Sequence, residues 1–128
     1  GLPAALEWLA RGFEEKSGIP CDVDLDETVE LESSASTALF RICQESLTNV
    51  ARHSEASRAK VELKREGPSI ILTISDNGRG VSAEETERTT SFGFIGMRER
   101  ARGLGGQLTV NGSRGNGTII AVSLPLHH

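Results

Sequence analysis

Two alternating runs separated by four residues constrain this chain more than any other feature. In AKVELKR, Ala59, Val61 and Leu63 fall on one side, and in IILTIS, Ile70, Leu72 and Ile74 do the same. A period of two marks a strand with one buried face, and the short EGPS between the runs joins them as a hairpin. The second strand runs straight into Asp76, and Asn-Gly-Arg-Gly follows at once. An acid therefore stands where an apolar strand stops, beside a turn nearly bare of side chains.

The remaining elements are read from periodicity. Leu6, Leu9 and Phe13 recur at helical spacing and predict a helix over 4–16, which SGIP ends; CDVDL then alternates as a short strand. Ser33 or Ser34 offers an N-cap to a helix over 34–53, whose apolar stripe is Leu39, Ile42, Cys43, Leu47 and Val50. Its other side carries Arg41, Glu45, Asn49, Arg52 and His53, and Glu45, Asn49 and His53, four residues apart, line up on one face. Residues 81–96 are polar and loosely patterned, the mark of a functional or mobile loop. A helix beginning near Met97 (MRERARGL) follows, with Met97, Ala101 and Leu104 inward and Gly105 and Gly106 at its end. QLTV and TIIAVSLPL close the chain as strands joined by NGSRGNG. Hairpins mixed with a few helices predict an α+β domain: a two-layer sandwich, a mixed sheet of about five strands with about three helices on one face.

Composition excludes several roles. The 128 residues favour one domain, spanning 1–126, and the net charge is −4 with no basic stripe to track a phosphate backbone. With four Phe, one Trp and no Tyr, base-stacking platforms are scarce. Nucleic acid is therefore not an expected partner, and clusters such as RER read as solvated surface. No apolar run approaches the roughly 20 residues that cross a bilayer, so no membrane contact is expected of this domain. Cys21 and Cys43 form no CxxC and read as free thiols in a reducing, cytoplasmic compartment. The chain opens on Gly1 without a signal peptide, which suggests a monomeric piece of a longer protein, soluble or an inner-membrane sensor; His127 and His128 read as remnants of a purification tag.

Four constellations carry chemistry. On the second helix, the Asn49 amide oxygen is a hard ligand suited to Mg²⁺ shared with phosphate, Glu45 is placed to accept a proton, and Arg52 can contact a phosphate oxygen. The same residues alone also describe a solvated helix face. At the strand end, ionised Asp76 only accepts hydrogen bonds, which matches the exocyclic amine of adenine, while Gly78 and Gly80 allow positive φ and leave room for a flat base. An ordinary Asp-Asn-Gly turn has that sequence too. In GFIGMRER, Gly93 and Gly96 stand at the mouth of the helix that begins near Met97, whose N–H groups can receive phosphate; a turn that merely needs small residues looks alike. In GNGT, the Thr118 hydroxyl can join Asp76 in holding the base. No Gly-Lys-Ser/Thr loop and no zinc spacing is present.

In this order, QESLTNVARH, DNGRG, GFIGMRER and GNGT resemble the boxes of the ATP-binding fold shared by gyrase, Hsp90, MutL and the histidine kinases (the Bergerat-type fold). FRICQESLTNVARHSEAS and GMRERARGLGG resemble most the nitrate-sensor class of two-component sensor kinases. The resemblance spans nearly the whole chain. It implies ATP and Mg²⁺ as cofactors, Asp76 on the adenine amine, Asn49 on Mg²⁺, Glu45 as candidate base, and Arg52 and His53 near phosphate. It implies a lid over residues 81–96, with Gly78, Gly80, Gly93, Gly96, Met97 and Thr118 in the nucleotide site. Ile95 or Phe94 stands where the family's second glycine box usually has leucine. The partners implied are an upstream dimerisation and phosphoacceptor domain and, through it, a response regulator. The chain has no His-Asp dipeptide of the acceptor kind, so it is expected to bind Mg·ATP without phosphorylating itself. Because the acceptor domain docks near the lid, Leu6, Leu9 and Phe13 are expected to face that neighbour as well as the core.

Three rivals are weighed beside this reading. GRGVSA satisfies a dinucleotide-binding fingerprint, yet VSAEETERTT lacks the apolar stripe of the helix it requires. Anti-sigma-factor serine kinases share the fold and resemble the GMRER region less well. A degenerate domain without chemistry is opposed by Glu45, Asn49 and Asp76 all being present.

Overall fold

A computed structural model describes residues 1–80, 93–112 and 115–126, apart from the side chains of His53 and Ser54. The chain order is α1 (Leu2–Ser17), β1 (Cys21–Leu25), α2 (Ser33–Asn49), a π-helical turn (Val50–Ser54), β2 (Ala59–Glu66), β3 (Ser69–Asp76), α3 (Phe94–Gly103), β4 (Gln107–Gly112) and β5 (Thr118–Pro125).

The strands form one sheet in the order β1-β2-β3-β5-β4. β1 pairs parallel with β2, which requires a crossover, and α2 is that crossover. The other three pairings are antiparallel, so the sheet is mixed and β3 is its middle strand. Register follows the alternation: Leu63, Leu72 and Val122 form one cross-strand row, and Val61, Ile74 and Ile120 the next. All six are buried. The helices cover this face, with α2 packed between α1 and β3, and α3 against β4 and β5. The other face carries Lys60, Glu62, Lys64, Thr73 and Ser75, with a Lys64–Asp24 ion pair at 3.3 Å. The expected two-layer α+β sandwich is therefore the fold, with five strands and three helices among the described residues.

Each helix buries the stripe that its sequence sets out. On α1 the buried residues are Leu2, Leu6, Leu9, Ala10 and Phe13, and Gly18, left-handed at φ 74, returns its amide to the Glu14 carbonyl. Leu6 is fully buried in the core, and Leu9 and Phe13 are largely buried there. Trp8 is the large apolar residue that α1 presents outward, 70% exposed. Cys21 and Cys43 are free and buried, and burial pushes their thiols up to about 11 and about 12.

Helix boundaries differ from expectation in three places. The N-cap of α2 is Glu32, which makes no side-chain cap bond, rather than Ser33 or Ser34. The α-helical part of that element stops at Asn49 and gives way to the π-turn, which Glu55 ends in a left-handed conformation at φ 55. The third helix starts at Phe94, three residues before Met97, because Phe94 is a core residue at 1% exposure and extends the stripe of Met97 and Ala101 by one turn. Residues 81–92 of the expected lid lie outside the described residues. No described helix is long and apolar enough to cross a membrane.

Ile42 lies at zero exposure between the layers, so Ile42→Ala is expected to cost about 2–5 kcal/mol of unfolding free energy in urea titrations. Trp8→Ala, away from the core, is expected to change it by less than about 0.5 kcal/mol.

Candidate functional site

Asp76 is even-numbered, like Ile74 and Leu72, so its side chain points to the helix-covered face at the end of the middle strand. Its cross-strand neighbours in that row are Ala59 and Thr118. The carboxylate turns back to accept the Gly78 amide at 2.8 Å, and the neighbouring backbone N–H of Thr118 also favours its charged form. Burial outweighs both effects and raises its proton affinity above the ordinary carboxylate value.

The loop after Asp76 is fastened on two sides. The Asn77 side-chain oxygen accepts the Ser57 and Arg58 amides at 3.0 and 2.9 Å, and its amide nitrogen donates to the Ser57 hydroxyl. Asn77 is therefore the clamp that ties this loop to the start of β2. On the other side, the Arg79 carbonyl accepts the Gly115 amide at 2.7 Å, which binds the loop to the β4–β5 turn. Gly80 takes the expected positive φ, at 77°, whereas Gly78 serves through its amide. Gly117 admits no substitute: its φ is 82°, and a Cβ there would stand 1.9 Å from the Asp76 carbonyl oxygen. Thr118 follows it at 8% exposure. The strand half of the site, Asp76, Gly78, Gly117 and Thr118, is thus one connected cluster.

The helix half forms where α2 meets α3. Glu45, half-buried, accepts a bond from Arg100 of α3, with Nη1 2.8 Å from Oε1. Its other oxygen lies over Gly93, the left-handed cap of α3, 3.0 Å from where a Cβ would be. One residue on, the buried Ser46 hydroxyl donates to Met97 Sδ at 3.8 Å. The RER cluster therefore does not read as solvated surface throughout, because Arg100 is the partner of the candidate base. Gly96 lies inside α3 rather than at its mouth; Gly93 alone holds that position.

Asn49 is the last residue of α2, one turn beyond Glu45, half-buried and engaged. Glu45 and Asn49 stand one turn apart as expected, and the side chain of His53 lies outside the described residues. A π-turn uses i→i+5 bonds, so four residues beyond Asn49 do not complete a turn. Arg52 is exposed and lines a groove of about 590 Å³ between α1 and α2, with Trp8, Leu9, Phe13, Leu47 and Thr48. That groove does not include Glu45, Asn49 or Asp76.

Residues 34–128 match the family described as "Histidine kinase-, DNA gyrase B-, and HSP90-like ATPase". The chain belongs to this family of ATP-binding catalytic domains, and its relatives set it with those of sensor histidine kinases. It is 39% identical to the histidine-protein kinase/phosphatase UhpB of Salmonella typhimurium over 97% of the chain and 24% of that protein. It is 36% identical to the sensor histidine kinase LiaS of Bacillus subtilis over 98% of the chain and 34% of the relative. The nitrate/nitrite sensor protein NarX of Escherichia coli is 34% identical over 96% of the chain and 21% of its own length. The chain thus spans between 21% and 34% of the length of these three relatives. Among solved structures, the histidine kinase domain of the Erythrobacter litoralis EL346 blue-light activated kinase superposes with a TM-score of 0.78 at 27% identity, over 98% of this chain and 61% of that one.

Because Asp76 holds its proton more tightly folded than unfolded, the folded state binds the excess proton as pH rises from the ordinary value of 3.8, and stability falls through the raised folded pKa before levelling off. Asp76→Asn removes this dependence and keeps an oxygen for the Gly78 amide. Thermal melts from about pH 3 to about pH 7 are expected to show the variant gaining on the wild type across that window, then a constant difference.

Proposed function

We propose that this domain binds Mg·ATP with the adenine amine on Asp76 and delivers the γ-phosphoryl group to a histidine of a separate acceptor domain, for relay to a response regulator in the cytoplasm. The observation that carries this reading is the half-buried Asp76 carboxylate beside Gly117 and Thr118, which accepts the Gly78 amide and has further lone pairs for a donor. Adenine offers that donor in its exocyclic amine, and Thr118 stands next to it.

The phosphate end falls to the helix half. The start of α3 at Gly93 presents N–H groups to anionic oxygens, with Gly96 and Met97 in its first turn. Asn49 supplies a hard oxygen for Mg²⁺. Among the described residues no group of three or more His, Cys, Asp or Glu surrounds a metal position. That fits an ion completed by phosphate oxygens and water, as Mg²⁺ prefers. When bound, the ion supplies charge neutralisation on the triphosphate. Arg52 and His53 are the further candidates for phosphate contact.

In the transfer, the acceptor imidazole nitrogen forms the new bond to phosphorus as the bond to the β–γ bridging oxygen breaks, and ADP leaves. Glu45 takes the imidazole proton. Positioning and charge stabilisation dominate such a step. The groove between α1 and α2, rimmed by exposed Trp8, is the surface suited to the acceptor domain.

Titration of the chain with ATP and Mg²⁺ tests the reading. Losing one charged hydrogen bond of about 2 kcal/mol is expected to weaken ATP binding roughly 30-fold in Asp76→Asn. An unchanged dissociation constant, or tighter binding of NADH or GTP than of ATP, would overturn the adenine assignment. The chain alone is expected to gain no label from γ-labelled ATP. Trp8→Ala is expected to slow labelling of an added acceptor domain at least about fivefold, with ATP affinity unchanged, if Trp8 anchors the docking.

A further inference from the structure

The Glu45–Arg100 pair differs in kind from the other ion pairs described. Arg11–Glu7 lies within α1, while Arg58–Asp22, Lys60–Glu62 and Lys64–Asp24 lie on the sheet's open face. Glu45–Arg100 instead joins two helices whose residues are 55 apart in sequence. Its side chains are 37% and 35% exposed, and pairs of such exposure contribute little to stability. Stability therefore gives no sufficient reason for it.

Geometry gives a better one. Both oxygens of Glu45 are addressed by the same helix. Oε1 takes the Arg100 bond, and Oε2 sits over Gly93, where any side chain would crowd it at 3.0 Å. Gly93 and Arg100 thus bracket the carboxylate from the start of α3 and from about two turns along it. A glutamate has three side-chain torsions to fix, and a proton acceptor has to stand within hydrogen-bond reach of its donor. Guanidinium keeps its charge at every working pH and holds its donors in a rigid fork.

We propose that Arg100 is a positioning residue: it sets the rotamer of Glu45, and through Glu45 the geometry of proton removal, without binding nucleotide itself. This rests on the reading of the domain as the phosphoryl-transferring half of a kinase, with Glu45 as base. The two helices are thereby coupled, since a shift of α3 moves the carboxylate on α2.

The test uses Arg100→Gln, Arg100→Lys, Glu45→Gln and the double variant Glu45→Gln/Arg100→Gln, in a protein that carries this chain together with its acceptor histidine domain. Transfer of label from γ-labelled ATP gives kcat and KM, and titration of the chain with a non-hydrolysable ATP analogue gives affinity. The expected result is a fall in kcat of at least about tenfold in R100Q, with KM and analogue affinity within about threefold of wild type and most of the rate restored in R100K. The double variant is expected to match E45Q alone, because both changes act through one carboxylate. That variant leaves neither charge unpaired, so it keeps the comparison readable if R100Q melts early. The proposal is overturned by an R100Q that transfers as fast as wild type or faster, by parallel loss of affinity and rate, by an E45Q of wild-type rate, or by additive losses in the double variant. A wild-type chain that fails to bind the analogue would instead sink the nucleotide reading itself.

Discussion

The rung that pairs Asp76 with Thr118 is the constraint on which the rest of the site depends. β3 is held on both sides by antiparallel partners, so its register cannot drift without disturbing two ladders. Asp76 lies two residues beyond Ile74 and therefore shares its face. A slip of one residue would turn the carboxylate to the open side and expose Ile70, Leu72 and Ile74 together. The alternation that builds the core also aims the acid, so folding and site placement are one decision.

That coupling explains what was legible in the sequence. The hairpin, β1, α1 and the closing strands follow from apolar spacing within a few residues, and the structure repeats them. The order of the four boxes carried the family. What escaped has identifiable causes. The start of α3 was hidden because its cap is Gly93 in a left-handed conformation rather than Ser, Thr or Asp, and because Gly96 weakens the helical signal. The cue that remained was Phe94, one turn before Met97 in the same stripe. The end of α2 was misplaced because the apolar stripe runs on through Val50, and nothing local announces a π-turn. Arg100 was overlooked for a different reason. A run of alternating charge resembles solvent-facing surface, and only the fold brings it to Glu45. Asn77, likewise, is indistinguishable from a turn residue until Ser57 and Arg58 are placed beside it.

The site is assembled from two halves that do not share an element. The strand half is rigid through backbone ladders, the Asn77 clamp and the Arg79–Gly115 bond. The helix half depends on side chains reaching between α2 and α3. Two glycines permit these approaches: Gly117 lets the start of β5 touch the Asp76 carbonyl, and Gly93 leaves space for Glu45. A ligand long enough to touch both halves would join the strand platform to a pair of helices.

Burial of Asp76 carries the specificity argument. The carboxylate is desolvated enough to raise its proton affinity, yet the Gly78 amide already holds it in place. Its remaining lone pairs favour a ligand that brings a donor. A purine with an amine at the contacted edge supplies one. A purine with a carbonyl there would set acceptor against acceptor in a partly dry site, where unmatched polar groups are most costly. Sites built around a required hydrogen bond reject analogues that lack it far more strongly than apolar pockets reject a change of size. On the proposed reading, choosing between purines would require no further side chain. It would follow from a single acid kept half out of water by the sheet that ends in it.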